Sequence, residues 1–335
     1  MNEATRARLF GVTHAFDNGV TLWVTVVIAT LLIATPIIIL ALSGLGIVKP
    51  DHRRELLLRY YSWLVLTPMM LLPILAGAFW TILGLGILSL FCYREFARAV
   101  GLFREKTISL VVALGIIVIT LTALDHWYGL FVAITPFTIT LIASAAILRD
   151  EPKGYIERVG LGVLGFTLFG TCFGHLSYFA NDANYRPYLI LIFMSVELND
   201  VFAYISGKSV GRRKLAPKTS PNKTLGGALG ALLLTTLLVC AVGHYLFRGT
   251  ALAHPSHLIA LGVLMSLAGQ LGDLTVSSVK RDLGVKDMGV TIPGHGGLLD
   301  RFDSIILVAP VMFHYINYFI GIGTDQTPHV FTGLL

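Results

Sequence analysis

Long stretches without a charged side chain dominate this sequence. Between Tyr60 and Tyr93 there is no Asp, Glu, Lys or Arg. As one helix this stretch would be about 51 Å long, whereas the hydrocarbon core of a bilayer is roughly 30 Å thick. It therefore predicts two shorter helices with a break near residues 76–78. With 55% hydrophobic residues in 335, the chain is too apolar for a soluble domain and is predicted to be an all-α, polytopic integral membrane protein.

The remaining apolar runs bring the predicted number of transmembrane helices to about ten. Residues 20–48 are long enough for one tilted span, and they start too late for a cleavable signal peptide. They follow a short polar tail, residues 1–18, and precede a basic segment, residues 49–59, that we expect at the membrane interface. The other runs cover about 107–124, 127–148, 159–180, 187–206, 225–247, 256–279 and 303–322.

The distribution of Lys and Arg supports this count. Successive transmembrane helices cross the membrane in opposite directions. If residues 206–223 face the cytoplasm, the segments on the same side are therefore 49–59, 94–106, 149–158 and 280–301. These five segments hold 21 of the 25 Lys and Arg residues, and both termini then lie outside. A basic cytoplasmic rim that attracts anionic headgroups and nucleotide phosphates explains the net charge of +6, so nucleic acid is not needed as a partner.

No linker or repeat divides the chain into separately folding soluble domains. We divide it into the tail, the first span, a membrane bundle over 49–186, a catalytic membrane region over 187–323 and a C-terminal tail over 324–335. The three cysteines show no CxxC or Cys/His spacing, which argues against a disulfide framework or a zinc site. No P-loop sequence is available to hold a nucleotide.

Charged residues, scarce elsewhere, are concentrated between residues 269 and 304. If the preceding apolar run stays helical as far as Lys280, then Asp273, Ser277 and Lys280/Arg281 lie on one face, at i, i+4 and i+7/i+8. A carboxylate, a hydroxyl group and a cation then point the same way. This is an arrangement that a site for a metal ion and a phosphate requires.

A glycine-rich loop, residues 282–299, follows this predicted helix and leads to two more carboxylates. Its glycines let backbone N–H groups approach a phosphate closely. Asp300 and Asp303 lie at i and i+3, at the start of the last apolar run. Hard oxygen ligands beside basic residues are the composition of a site for a divalent cation and a polyphosphate. From the charges alone, a basic loop that only fixes the topology explains the pattern equally well.

Polar residues also interrupt the predicted span at 187–206. Glu197, Asn199 and Asp200 lie in an otherwise apolar stretch, and Asp200 shares a helix face with Tyr204. Because ionisable groups are costly at membrane depth, they favour a functional polar cavity. The alternative is that the helix ends earlier and these residues simply meet the cytoplasmic interface.

The loop after that span ends in hydroxyl groups and a cation ahead of the next apolar run. Ser220, Lys223 and Thr224, with the free N–H groups of a helix N-terminus, are suited to phosphate binding. The alternative is an ordinary helix cap behind a positively charged loop.

The order of these residues resembles the signature of the phosphatidate cytidylyltransferases, the CDP-diacylglycerol synthases. The sequence from Ser277 reads SxVKR, four residues, KD, and then HGGxxDRFD from His295. NDxxAYxxGK from Asn199 and SPxKT from Ser220 are similar to two further motifs of that family. The chain departs from the family at Gly226, where glutamate is common, and so lacks one carboxylate for a metal or substrate contact.

The resemblance implies a nine-helix core, to which residues 20–48 add a helix. It also implies that CTP and phosphatidate react to give CDP-diacylglycerol and pyrophosphate. We expect a bacterial inner membrane, with the active site on the cytoplasmic side. The catalytic residues would be Asp273, Lys280, Arg281, Asp300 and Asp303, of which the three aspartates would bind Mg²⁺, with a second cation as a further candidate. The substrate-binding residues would be Asp200, Tyr204, Ser220, Lys223, Ser277, Lys286, Asp287, His295, Gly296, Gly297 and Arg301.

Two other functions remain open from the sequence. A related enzyme could use another membrane lipid phosphate, and the Gly226 departure motivates this alternative. An ion-coupled transporter could use Glu197, Asp200 and Asp273 as an ion path, although this leaves the polar cytoplasmic loop unexplained. Membrane lipids are the expected surroundings, and a homodimer is a candidate assembly.

Overall fold

Ten apolar helices form a membrane bundle in the computed structural model, which describes residues 2–47, 49–291 and 296–334. Within these ranges the predicted all-α architecture and the number of spans are confirmed. The elements are α1 (Glu3–Phe10), α2 (Gly19–Gly44), α3 (Pro50–Ala76), α4 (Ala78–Ala99), α5 (Lys106–Leu124), α6 (Tyr128–Ile147), α7 (Tyr155–Gly165), a π-helical segment (Phe166–Cys172), α8 (Phe173–Phe179), α9 (Tyr185–Val210), β1 (Lys214–Ala216), β2 (Ser220–Thr224), α10 (Leu225–Leu246), α11 (Pro255–Asp282), α12 (Leu299–Phe302) and α13 (Ile305–Ile320). The segments from Tyr155 to Phe179 make one span, and so do α12 and α13.

The uncharged stretch between Tyr60 and Tyr93 is divided between α3 and α4, as predicted. The break falls at Gly77, whose φ of 139° is a conformation that other residues rarely adopt. A Cβ atom there would lie 2.3 Å from the carbonyl oxygen of Leu9, because α1 packs into the break. The basic segment expected at the interface, from Pro50 on, forms the first turns of α3 rather than a separate element.

The N-terminal stretch, predicted as a polar tail, is a folded element. Leu9 of α1 is fully buried, and Arg8 is 6% exposed. Nη1 of Arg8 donates to the backbone oxygen of Asn181 at 2.7 Å and to its side-chain oxygen at 3.1 Å. Asn181 in turn donates to the backbone oxygen of Ala123 at 2.7 Å. Arg8 therefore joins α1 to the chain between α8 and α9, which the polar composition of this stretch did not indicate.

We expect Arg8→Ala to lower the free energy of unfolding by about 2–4 kcal/mol, because it empties a buried site and removes a donor from Asn181. The measurement is the melting temperature of the purified protein in detergent. Arg6→Ala is the matched control, since Arg6 is exposed on the same helix. Equal melting temperatures for the two variants would contradict the packing of α1.

The C-terminal segment is also held in place. The carboxylate of Asp125, between α5 and α6, accepts hydrogen bonds from the backbone N–H of Phe331 at 2.6 Å and of Thr332 at 3.0 Å. Burial alone would raise the pKa of Asp125, but these hydrogen bonds outweigh it and hold the pKa below its usual value. Both chain ends are thus fastened on the face opposite the basic loops.

A buried amide ties α9 and α11, which both carry candidate residues, to α10 between them in the sequence. Oδ1 of Asn199 in α9 accepts from the hydroxyl of Thr235 in α10 at 3.0 Å and from that of Ser266 in α11 at 2.6 Å. Because Asn199 is buried and α9 continues to Val210, the alternative that this helix ends before the polar residues is wrong. Asn199 therefore lies inside the bundle, whereas Glu197 is half-buried and Asp200 is exposed.

The first span, α2, lies at the margin of the bundle. Among its described side chains only Thr21 and Ile39 are buried, while large apolar residues such as Trp23 and Ile33 are exposed. An apolar helix with so little buried surface is a lipid-facing helix. The site depends instead on α4, α9, α10, α11 and α12.

Candidate active site

Side chains from β2, α11 and α12 converge beside the end of α11 that precedes the glycine-rich loop. As predicted, α11 places Asp273, Ser277 and Lys280 on one face. Ser277 Oγ donates to Oδ1 of Asp273 at 2.9 Å, and the Nζ of Lys223 forms an ion pair with Oδ2 of the same carboxylate. Lys223 reaches Asp273 because β2 pairs antiparallel with β1 and leads directly into α10.

The second ion-pair group is more deeply buried. Nζ of Lys280 lies 2.9 Å from Oδ1 of Asp300 and 3.8 Å from Oδ2 of Asp303. The three side chains are only 10%, 3% and 9% exposed, respectively. A buried cation between two carboxylates is costly to disturb, because removing one partner leaves an uncompensated charge. This group therefore fixes α11 against α12.

Asp300 also holds the glycine-rich loop. Its Oδ2 accepts from the backbone N–H of Met288 at 2.9 Å and of Gly297 at 2.8 Å. The carboxylate thus binds both ends of the loop, on either side of residues 292–295, while its other oxygen pairs with Lys280. The predicted phosphate-binding loop is fastened to the same residue that was predicted to bind the metal.

Four carboxylates, those of Asp200, Asp273, Asp300 and Asp303, lie near one another where α9, α11 and α12 meet. Asp303 interacts electrostatically with Asp200, Asp273 and Asp300, and Ser304 Oγ lies 3.4 Å from carboxylate oxygens of both Asp200 and Asp303. A cavity of about 50 Å³ opens among these groups. Its polar wall consists of Glu197, Asp200, Asp300, Arg301 and Asp303, and its apolar wall consists of Trp63, Leu66, Met70 and Phe302.

Several predicted residues lie at the margin of this group. Tyr204 is 67% exposed and lies with its ring against the Nζ of Lys208, at 5.7 Å from the ring centroid. Arg281 donates to the backbone oxygens of Thr219 and Val285 at 3.2 Å each, outside the buried ion pairs. The exposed residues are Lys286, Asp287 and Arg301, and Ser220 is half-buried. Within the loop, Gly296 has a φ of 82°, while His295 lies outside the described residues.

The stretch from Ser220 to Thr224 serves two purposes. Thr224 Oγ1 accepts from the backbone N–H of Gly227 at 3.1 Å, so the helix-cap interpretation is confirmed for α10. Lys223 meanwhile pairs with Asp273. The departure at Gly226 has a structural counterpart, since a Cβ there would lie 3.0 Å from the carbonyl oxygen of Val210 and would crowd the backbone at the end of α9.

Sequence reasoning missed Glu95. The interval from 94 to 106 was assigned to a basic loop, but α4 continues to Ala99 and buries the Glu95 side chain. Its carboxylate accepts hydrogen bonds from Thr291, Leu298 and Leu299, in the glycine-rich loop and at the start of α12. The segment from 94 to 106 holds two carboxylates, Glu95 and Glu105, and Glu95 was the one placed next to the uncharged stretch that forms the membrane-spanning part of α4.

The described residues contain no group of three His, Cys, Asp or Glu side chains with the geometry of a preformed metal site. Two of the predicted ligands, Asp273 and Asp300, are each paired with a lysine, and Asp303 lies near one. Mg²⁺ often takes only one or two protein carboxylates, together with water and substrate phosphates. The carboxylate oxygens of this site suit that ion, and the metal roles stay predictions.

Comparison with known proteins decides the family. The sequence model described as "Cytidylyltransferase family" matches residues 57–319. The chain belongs to the cytidylyltransferase family. It is an integral membrane enzyme of this family, and the transporter alternative is set aside. α1 and α2 precede the matched region, as expected for an added N-terminal helix.

Three relatives illustrate the range of similarity. The uncharacterized protein YnbB of Escherichia coli K12 is 30% identical over 269 residues, which cover 79% of this chain and 88% of that protein. A phosphatidate cytidylyltransferase of Bacillus subtilis 168 is 32% identical over 222 residues, covering 64% and 81%. A phosphatidate cytidylyltransferase of Staphylococcus aureus COL is 31% identical over 253 residues, covering 74% and 94%.

Proposed function

We propose that the chain is a phosphatidate cytidylyltransferase that forms CDP-diacylglycerol and pyrophosphate from CTP and phosphatidate. The observation that carries this proposal is a pair of Lys–Asp contacts, one half-buried and one buried, near a cavity with one polar and one apolar wall. Lys223 pairs with Asp273, and Lys280 with Asp300, where a polyphosphate and a lipid phosphate could meet. The Bacillus and Staphylococcus relatives, which carry this enzyme name, support the choice of substrate.

The reaction needs no nucleophilic side chain. A phosphate oxygen of the lipid attacks the α-phosphorus of CTP, the bond from that phosphorus to the bridging oxygen breaks, and pyrophosphate leaves. The protein then contributes by aligning the two phosphates and neutralising their charge. Lys223 and Lys280 are suited to this task because their carboxylate partners hold each ammonium group in place. The more exposed Arg281, Lys286 and Arg301 would attract the nucleotide from solution.

The carboxylates would hold Mg²⁺ during this reaction. We assign Asp273 and Asp303 as direct ligands and Asp300 as a ligand that also fixes the loop. A bound Mg²⁺ would offset the negative charge that develops on the pyrophosphate. Asp200 faces the same space and could contact a second cation.

The lipid would enter from the side. Trp63, Leu66 and Met70 of α3 line the apolar wall of the cavity, and α3 itself lies at the periphery of the bundle. An acyl chain could therefore lie along α3 while its phosphate reaches the polar wall. The excess of Lys and Arg in the loops on this side supports a cytoplasmic opening, where CTP would be available, and a bacterial inner membrane as the location.

The decisive experiment measures incorporation of radiolabelled CTP into lipid by the purified protein with phosphatidate and Mg²⁺. We expect Mg²⁺-dependent CDP-diacylglycerol and stoichiometric pyrophosphate. A folded protein that binds CTP but gives no lipid product with phosphatidate would refute this substrate.

Another lipid phosphate is the second candidate, because Gly226 removes a carboxylate common in the family and a Cβ atom there would lie tightly, at 3.0 Å, against the backbone oxygen of Val210. The same assay with a polyprenyl phosphate tests this candidate. Turnover of the polyprenyl phosphate but not of phosphatidate would favour it, and the reverse would reject it.

A further inference from the structure

Glu95 is a buried carboxylate that the proposed reaction does not yet use. It comes from α4, in the part of the chain that carries none of the predicted site residues. One oxygen accepts from the hydroxyl of Thr291 and from the backbone N–H of Leu298 at 3.0 Å. The other accepts from the backbone N–H of Leu299 at 2.8 Å. One side chain therefore binds the chain on both sides of residues 292–295.

Two glycines are fitted around this carboxylate. A Cβ atom on Gly289 would lie 2.8 Å from Oε1 of Glu95, and one on Gly297 would lie 2.5 Å from Oε2. The loop backbone thus passes so close to Glu95 that any side chain would collide with it. Contact from two positions, eight residues apart, shows that the loop is shaped around this carboxylate rather than merely touching it.

The hydrogen bonds of Glu95 and Asp300 are complementary. The N–H groups of Leu298 and Leu299, at the start of α12, have no partner within the helix and are satisfied by Glu95. The preceding N–H, that of Gly297, is satisfied by Asp300 itself. Three successive N–H groups are thereby bound by two carboxylates, and the position of the Asp300 side chain depends on where Glu95 holds the backbone.

We infer that Glu95 is a positioning residue that sets the place of Asp300 and of the glycine-rich loop for nucleotidyl transfer. The effect of Glu95 on catalysis rests on the proposed function, whereas its hydrogen bonds to the loop do not depend on that function. Groups that orient the direct ligands of a metal typically affect metal affinity or activity by about 10–100-fold. Glutamine at position 95 keeps the shape but turns one acceptor into a donor, which faces a backbone N–H.

Hydrogen exchange on Glu95→Gln tests the hold on the loop without substrate or metal. We expect amide exchange at Leu298 and Leu299 to accelerate at least about tenfold, while exchange elsewhere in the bundle is unchanged. Glu105→Gln is the matched control, since Glu105 is a half-buried carboxylate on the same basic side that pairs with Arg149. Unchanged exchange at Leu298 and Leu299 in the Glu95 variant would overturn the inference.

Kinetics test the consequence for catalysis. For Glu95→Gln we expect kcat to fall about 10–100-fold and the Mg²⁺ concentration for half-maximal rate to rise about tenfold, with the KM for phosphatidate within about twofold of the wild type. A smaller folded fraction would lower the rate but would not change the Mg²⁺ dependence. Wild-type kcat and Mg²⁺ dependence in the variant, beside an active wild type, would refute the positioning role. An inactive wild type would instead refute the proposed substrate. The hydrogen-exchange result would still show whether Glu95 fixes the glycine-rich loop.

If Glu95→Gln does not fold, Thr291→Val provides the same test from the loop side. It removes one hydroxyl donor to Glu95 and leaves the backbone contacts. We expect the same direction of change in exchange and in Mg²⁺ dependence, at about two- to fivefold. No change in either quantity would contradict the inference.

Discussion

Asp300→Asn is expected to abolish CTP incorporation, with a loss of rate on the order of 10³-fold. Asp300 binds Lys280 and both ends of the glycine-rich loop. An amide of the same shape removes the charge that balances the buried ammonium and replaces one acceptor with a donor. The variant should remain folded, because Asp303 still lies 3.8 Å from Nζ of Lys280.

The control for this variant is Asp150→Asn. Asp150 is exposed between α6 and α7, and its φ of 48° is one that asparagine tolerates well. We expect unchanged activity and melting temperature in this control, and a lower melting temperature for Asp300→Asn that still leaves it folded at the temperature of the assay. More than about a tenth of the wild-type rate in Asp300→Asn would contradict the central role of this carboxylate.

Gly272→Ala should lower activity about 10²-fold and destabilise the fold by about 1–3 kcal/mol. A Cβ atom at this position would lie 2.7 Å from the backbone oxygen of Asp303 and 2.8 Å from that of Ser304. Because both neighbours are backbone atoms, α11 must move away from the α12–α13 junction. This movement separates Asp273 from Asp303. The measurements are the CTP assay and the melting temperature.

Gly160→Ala is the corresponding control. Gly160 lies inside α7, and nothing lies within 4 Å of a Cβ atom built there. The substitution should leave activity unchanged and stabilise the helix by up to about 1 kcal/mol. If Gly272→Ala behaves like this control, the close approach of α11 to the α12–α13 junction is wrong.

Much of the fold could be predicted because a bilayer restricts how an apolar chain can fold. Helix length against bilayer thickness was enough to divide the stretch from Tyr60 to Tyr93, and the break falls at Gly77. The role of the N-terminal stretch could not be predicted. A polar composition gives no sign that Arg8 is buried against Asn181, since this contact joins residues 173 positions apart.

The candidate site was predictable where spacing alone fixes geometry. The i, i+4 and i+7 pattern correctly placed Asp273, Ser277 and Lys280 on one face of α11. The residues that each of these side chains contacts are determined by packing between segments far apart in the sequence. Helical periodicity did not indicate that Asp200 lines the cavity whereas Tyr204, 67% exposed, does not. Glu95 was missed for the same reason, because its partners lie about two hundred positions further along the chain.

The close approach at Gly226 limits how this enzyme can change in evolution. A glutamate there could not avoid the clash by choosing another rotamer, because its Cβ atom already meets the backbone of Val210 and Gly211. Gly211, which follows α9, is tightly packed as well, since a Cβ there would lie 2.2 Å from Oγ1 of Thr224. A glutamate at this position therefore needs the backbone after α9 to shift by a few tenths of an ångström away from the start of α10. The choice between glycine and glutamate is thus linked to the spacing of these two helix ends.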